Sequence, residues 1–99
     1  MEIHYGTIET EHSNHPVIYS YNAYMGEICI NGLNISEGAS HIIGILPKDA
    51  RPKADKSIDV SGPEGAYVRI LILVSGSIYA HKYNDVNAEN VMLSFAYIK

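Results

Sequence analysis

Several residue types are scarce in this chain of 99 residues: it has no tryptophan, one phenylalanine and one cysteine. The lone Cys29 excludes an internal disulfide, and its position between Ile28 and Ile30 indicates a reduced thiol rather than a nucleophile. No run approaches the roughly 20 apolar residues of a membrane-spanning helix. The first ten residues lack the basic and apolar regions of a signal peptide. We therefore expect neither a signal peptide nor membrane insertion.

Basic clusters are also absent. The formal net charge is −4, and the basic residues of segment 48–56 are interrupted by Asp49 and Asp55. A nucleic-acid-binding domain needs a concentrated positive surface. Nucleic acid is therefore not an expected partner.

The arrangements that catalysis requires are missing as well. There is no G-x-S-x-G motif and no glycine-rich phosphate loop. No acid lies within an apolar run that would raise its pKa. The acidic residues are instead scattered through predicted loops, as Glu37, Asp49, Asp55, Asp59, Glu64, Asp85 and Glu89. We predict that the protein is not an enzyme and needs no cofactor.

A metal site has little support. His12 and His15 have H-x-x-H spacing and follow His4, but they lie in a polar, loop-like segment, and this spacing is common by chance. Only a symmetric assembly that brought copies together could complete a ligand set. We predict no metal.

Alternating short apolar runs indicate the fold class. Residues 1–99 are long enough for one domain, and the pattern predicts seven or eight short strands with turns every 8 to 12 residues. The expected fold is all-β, a small antiparallel β-barrel or sandwich. Residues 1–16 are either an edge strand or an N-terminal arm that connects to an absent shaft.

The strongest strand signal is the stretch 66–80, AYVRILILVSGSIYA, which predicts a β-hairpin with its turn at Ser75-Gly76. A buried helix is the competing interpretation, but the run is short and Ser-Gly stops it. One face of the first strand is wholly apolar and should lie in the core; it consists of Val68, Ile70, Ile72 and Val74. The other face is apolar in its middle and should also lose water.

The remaining strands are predicted from the same alternation. Gly26-Glu27 is a turn candidate, Gly32 indicates a bulge, and 84–90 allows a single helical turn. In the last strand, Val91, Leu93, Phe95 and Tyr97 should point inward. The predicted strand segments are 17–25, 27–33, 41–46, 57–60 and 91–99.

Three of these strands are apolar on both faces, although the chain is too small for three layers. In the last strand, the second face carries Met92, Ser94, Ala96 and Ile98. A surplus apolar face requires a partner, so we predict a homo-oligomer.

The eight tyrosines indicate a contact surface. Tyr79, His81, Tyr83 and Asp85 follow one another at a spacing of two, which places them on one side of an extended segment. Aromatic faces stack on sugar C–H faces, and histidine and carboxylate bind hydroxyl pairs. These four residues are the predicted saccharide site.

Two alternatives to that site remain open. In one, Tyr79 belongs to the core or to an interface, and the other three residues form a solvated strand end. In the other, the cluster of Tyr19, Tyr21 and Tyr24 is the contact surface.

The order of short motifs resembles a known family. The motifs are 24–32 (YMGEICING), 45–47 (ILP) followed by Arg51-Pro52, 69–72 (RILI), 75–78 (SGSI) and 96–98 (AYI). Together they resemble the C-terminal head domain of tail receptor-binding proteins, at baseplate or fibre tips of phages that infect Gram-positive bacteria. The most specific part is Leu46-Pro47 with Arg51-Pro52, where Ala50 takes the place of a common aromatic residue.

This resemblance implies a small β-barrel head that forms a homotrimer and binds host cell-wall polysaccharide. It also implies upstream tail or baseplate proteins as partners and a location at the virion tail tip. Sugar sites in such heads lie between subunits and often use tryptophan, so a tyrosine would have to serve here. The family's binding loops carry no motif that can be transferred, and the site prediction depends on the aromatic pattern alone.

Two other functions fit the same sequence. A trimerisation cap would end a tail fibre and bind nothing, and its tyrosines would then belong to the interface. A lectin-like or jelly-roll adhesion module would bind sugars outside any phage tail.

Overall fold

The computed structural model describes residues 2–35, 40–62, 65–82 and 88–99, and these ranges form eight β-strands. Within them there is no α-helix, only a short 3-10 turn at Lys48–Ala50. The all-β prediction is confirmed. The strands are β1 His4–Ile8, β2 Val17–Tyr21, β3 Met25–Ile35, β4 Ser40–Ile45, β5 Lys56–Ser61, β6 Tyr67–Ile72, β7 Ser77–Lys82 and β8 Ala88–Ile98.

The strands form two four-stranded antiparallel sheets. Sheet A has the order β1-β2-β3-β8, and sheet B has the order β4-β7-β6-β5. Apolar side chains from both sheets form one buried cluster between them. In the described residues, no ladder joins an edge of one sheet to an edge of the other, so of the two expected architectures the sandwich is confirmed and the barrel is wrong.

The predicted hairpin is β6–β7. Ile72 pairs with Ile78 and Ile70 with Ala80, and these side chains are fully buried. Val74 was expected on the same buried face, but it is 50% exposed because β6 ends at Ile72 and Val74 already lies in the turn.

The sequence predicts a turn at Gly26-Glu27, but in the structure the turn between β2 and β3 lies at residues 22–24. There the side-chain Oδ1 of Asn22 accepts hydrogen bonds from the backbone N–H groups of Tyr24 (2.8 Å) and Met25 (2.9 Å). Gly26 lies inside β3 beneath the ring of Tyr97, where an added Cβ would be 2.3 Å from Cζ. The glycine therefore makes room for a neighbouring ring and does not mark a turn.

Strand β8 has the predicted orientation. Val91, Phe95 and Tyr97 are buried, and Leu93 packs against the same core. Ala88–Asn90, where a helical turn was considered, belongs to the strand, and residues 84–87 of that segment lie outside the described ranges.

Gly32 interrupts the ladder between β3 and β8, as predicted. The register shifts between Asn31 and Leu33, and Gly32 has a φ of +88°. Next to this bulge, the Asn34 side chain donates to Asn14 Oδ1 (2.9 Å) and accepts from the backbone N–H of Asn90 (2.9 Å). Asn34 thereby ties the loop before β2 to the β3–β8 pair.

The segment that follows β4 packs against the hairpin turn. Arg51 Nε donates to the Leu46 carbonyl (3.1 Å), and the Leu46 N–H donates to the Gly76 carbonyl (2.9 Å). Gly76 has a φ of +92°, and a Cβ there would be 2.8 Å from the Leu46 oxygen. The Leu-Pro, Arg-Pro and Ser-Gly motifs therefore form one packed unit.

Tyr97 connects sheet A to this unit. Its hydroxyl donates to the carbonyl of Ala50, which is fully buried. Burial raises the pKa of Tyr97 from 10.0 to about 12.

Candidate functional site

Tyr79 and His81 lie on the same side of β7, as their spacing predicts. Their neighbours Ile78 and Ala80 are fully buried, so Tyr79 and His81 point to the outer face of sheet B, where both are half-buried. Tyr79 is therefore not a core residue. Tyr83 and Asp85 lie outside the described residues.

Strand pairing places polar side chains from all four strands of sheet B in one row with His81. Ser40 pairs with His81, His81 with Arg69, and Arg69 with Asp59. Ser40 Oγ lies 2.9 Å from His81 Nδ1. We call Ser40, His81, Arg69 and Asp59 the polar row.

Arg69 and Asp59 form the charged end of the polar row. Arg69 Nε donates to Asp59 Oδ1 (2.8 Å), and its second nitrogen donates to Oδ2 (3.3 Å). These hydrogen bonds are the main reason why the pKa of Asp59 is lower than its ordinary value, and Tyr67 also donates to the carboxylate. At neutral pH the row therefore holds a fixed ion pair.

An apolar row runs parallel to the polar row on the same face, two residues further along the strands. Tyr79 pairs with Ile42 on one side and with Leu71 on the other. Ile42 is 47% exposed, whereas Tyr79 and Leu71 are half-buried. The outer face of sheet B thus presents an aromatic ring and aliphatic carbons beside hydrogen-bonding groups, which suits a ligand that has both C–H and O–H surfaces.

The sequence did not indicate Ser40, Arg69 or Asp59 as partners of His81. Alternation places Arg69 on the same face of the hairpin as Leu71, and Asp59 is among the acids that the sequence predicts in loops. Register between distant strands brings them together, and alternation within one strand does not specify that register. The usable signal was the Arg69 side chain on an otherwise apolar strand.

The outer face of sheet A has a different character. Its two central rows are Tyr5–Ser20–Glu27–Ala96 and Thr7–Ile18–Cys29–Ser94, in which Glu27 is the single charged side chain. Large apolar side chains on and beside these rows are between 48% and 73% exposed. They are Ile3, Tyr5, Ile18, Met25, Met92 and Ile98.

Cys29 lies half-buried on this same face. Its thiol is 3.5 Å from Glu27 Oε1, and burial, followed by the hydrogen bond and charge of Glu27, raises the pKa of the thiol. A nucleophilic cysteine needs a lowered pKa, so this environment favours the protonated thiol.

The histidines with H-x-x-H spacing separate in the structure. The ring of His12 lies 4.7 Å from that of His41, whereas His15 borders an apolar groove of about 310 Å³ on the outer face of sheet A. Across residues 2–35, 40–62, 65–82 and 88–99, no group of three or more His, Cys, Asp or Glu side chains is placed to hold a metal ion. The same ranges contain no helix of sufficient length and apolarity to cross a bilayer.

No protein-family model matches this chain, and a comparison with curated proteins finds no significant match. We therefore infer function from the two outer faces of the sandwich.

Proposed function

We propose that this domain is a non-catalytic adhesion module of a phage tail tip, which forms a homotrimer and binds saccharides of the host cell wall. The observation that carries the proposal is the contrast between the two outer faces of the sandwich. Sheet A presents six exposed large apolar side chains with a single charge in its two central rows, and sheet B presents aromatic and hydrogen-bonding side chains on the opposite side.

The outer face of sheet A supports self-association. Monomeric proteins rarely expose large continuous apolar patches, and patches of this kind mark interaction sites. Met92 and Ile98 of β8 are 68% and 65% exposed, and the apolar groove beside Ile18 extends the patch. A second and third copy would cover these side chains and leave sheet B free.

The outer face of sheet B supports carbohydrate binding. Tyr79 and Leu71 can contact the C–H face of a sugar, while the polar row can exchange hydrogen bonds with its hydroxyls. A sheet surface gives only shallow contact, so one site would be weak. A dissociation constant near the millimolar range, about −4 kcal/mol, is sufficient when several sites face the same wall.

Assignment to a phage tail depends on the motif resemblance. Its support in the structure is that Leu46, Arg51 and Gly76, which come from three of the motifs, contact one another as one unit. The upstream tail or baseplate proteins remain the proposed attachment partners.

The oligomer is tested by light scattering at micromolar concentration. We expect three times the chain mass of 10.9 kDa for the wild type and the single-chain mass for a Met92→Lys/Ile98→Lys variant. Ile45→Lys is the control, because Ile45 is 56% exposed but lies on sheet B. A monomeric wild type contradicts the trimer.

Saccharide binding is tested on an array of wall polysaccharides. A Tyr79→Ala/His81→Ala variant should keep its fold and lose most of its binding. Tyr24→Ala is the matched control, because Tyr24 is 64% exposed in the β2–β3 turn. If the trimer binds no polysaccharide, the domain is a structural cap instead; release of reducing ends would make it an enzyme.

A further inference from the structure

A cleft of about 410 Å³ opens at one end of the sandwich, away from the polar row. It lies where the start of β1, the turn after β2, the 3-10 turn and the C-terminal residue meet. Its volume falls in the range of small-molecule sites. The side chains that matter for its chemistry are Glu2, His4, Tyr21, Asn22, Asp49 and Lys99.

Aromatic rings hold one wall of the cleft in place. The ring of His4 stacks on Tyr21 with centroids 5.0 Å apart and an interplanar angle of 25°, and Tyr19 stacks on Tyr21 at 6.3 Å. Tyr19 and Tyr21 also pack against the core. The wall is thus fixed before any ligand arrives, which reduces the entropy lost on binding.

A cation is held at the same wall. Lys99 Nζ lies 4.8 Å from the centroid of Tyr21 and donates to the Asn22 carbonyl (2.9 Å). The backbone N–H of Lys99 donates to the Tyr24 carbonyl (2.9 Å). The ammonium group is therefore a positioned hydrogen-bond donor.

Two carboxylates border the cleft from different elements, Glu2 before β1 and Asp49 in the 3-10 turn. Both are exposed, and in the described ranges no hydrogen bond or ion pair joins either carboxylate to another residue. Two carboxylates against one ammonium leave an excess of negative charge, which disfavours an anionic ligand.

We propose that this cleft is a second saccharide subsite, for one uncharged sugar unit; this rests on the proposed function. The carboxylates of Glu2 and Asp49 accept hydrogen bonds from sugar hydroxyls, and Lys99 Nζ donates to a sugar oxygen. The ring edges of His4 and Tyr21 contact the sugar's carbon atoms. The subsite would bind a different unit of the polysaccharide from the one at the polar row.

The test is an NMR titration of the full chain with glucose, galactose and N-acetylglucosamine, each at millimolar concentration. We expect saturable shifts at His4, Tyr21 and Lys99 for at least one sugar, and clearly weaker shifts with glucuronic acid, because its carboxylate is repelled. Loss of one charged hydrogen bond in Asp49→Asn should weaken that binding about tenfold. Glu9→Gln, which removes an exposed acid that does not border the cleft, should leave it unchanged.

The outcomes separate the two proposals. If sugars shift residues of the polar row but none at the cleft, the subsite is wrong and the proposed function stands. If Asp49→Asn and Glu9→Gln bind alike, the cleft is also not the site. If neither face responds to the sugars and the trimer binds no wall polysaccharide, both proposals fail.

Discussion

Replacement of Tyr97 by phenylalanine tests how the two sheets are joined. The phenol hydroxyl donates to the Ala50 carbonyl, and Ala50 is fully buried, so its oxygen has no access to water once the hydroxyl is gone. Loss of such a bond with one buried partner left behind costs about 1 to 3 kcal/mol. We expect Tyr97→Phe to lower the free energy of unfolding at pH 7 by that amount, measured by urea denaturation at a fixed protein concentration.

The same variant has a second, pH-dependent signature. The pKa of Tyr97 is raised by burial from 10.0 to about 12, so the folded state keeps the neutral phenol longer than the unfolded state does. The stability that the neutral phenol of Tyr97 gives the fold is fully present below pH 10.0 and is lost as the pH rises through about 12. One pKa unit corresponds to about 1.4 kcal/mol, which limits the effect to about 3 kcal/mol.

Phenylalanine has no proton to lose, so the stability difference between wild type and Tyr97→Phe should shrink between pH 10.0 and about 12. Tyr5→Phe is the control for the loss of a phenol hydroxyl: Tyr5 is 73% exposed, and its replacement should leave the stability at pH 7 unchanged. If the free energies of unfolding of wild type and Tyr97→Phe change in parallel across this pH range, Tyr97 is not the buried, hydrogen-bonded phenol described above.

Three further predictions concern the core, the hydrogen bonds of Asn34 and the polar row. Ile70→Ala should lower the free energy of unfolding, measured by urea denaturation, by roughly 2 to 5 kcal/mol because Ile70 is fully buried. The control Ile42→Ala should lower it by less than about 0.5 kcal/mol because Ile42 is 47% exposed. Equal losses would contradict the position of Ile70 in the core. Asn34→Ala should destabilise the fold by about 1 to 3 kcal/mol and speed amide hydrogen exchange in segment 9–16, because Asn34 ties this segment to β3 and β8. Unchanged exchange in that segment would contradict this role of Asn34. Since Arg69 lowers the pKa of Asp59, the stability that Asp59 provides is present above its ordinary pKa of 3.8 and lost as the pH falls through its lower folded value. Asp59→Asn should therefore differ from wild type at pH 6 and converge with it in strong acid; a gap that persists in strong acid would mean that ionisation of Asp59 is not its source.

Sequence alternation was sufficient to predict the strands with the clearest two-residue period. In β6 and β8, one apolar residue at every second position identifies the core face, and Ile70 and Phe95 are buried accordingly. Alternation describes only one strand at a time. It could not show that Asp59 of β5 stands beside Arg69 of β6, because that depends on the register of two strands.

The errors have local physical causes. The sequence predicts a turn at Gly26 because glycine is common in turns, but in the structure its missing side chain accommodates the Tyr97 ring. Asn22 provides the actual turn through its side-chain oxygen. Val74 continues the apolar alternation beyond the point where β6 ends, so the pattern overestimated the strand. The cleft around Tyr21 brings together residues 2, 49 and 99, which no sequence pattern relates.

The open sandwich has a consequence for solubility. In the described part of the chain, β1, β8, β4 and β5 each pair on one side only, which leaves backbone donors and acceptors that could template cross-β stacking between molecules. The irregular register of β4 near Ile42 bends one such edge, and Lys56 places a charge on the core-facing side of β5. Both features discourage a strand of another molecule from docking at these edges, so their removal should favour fibril growth.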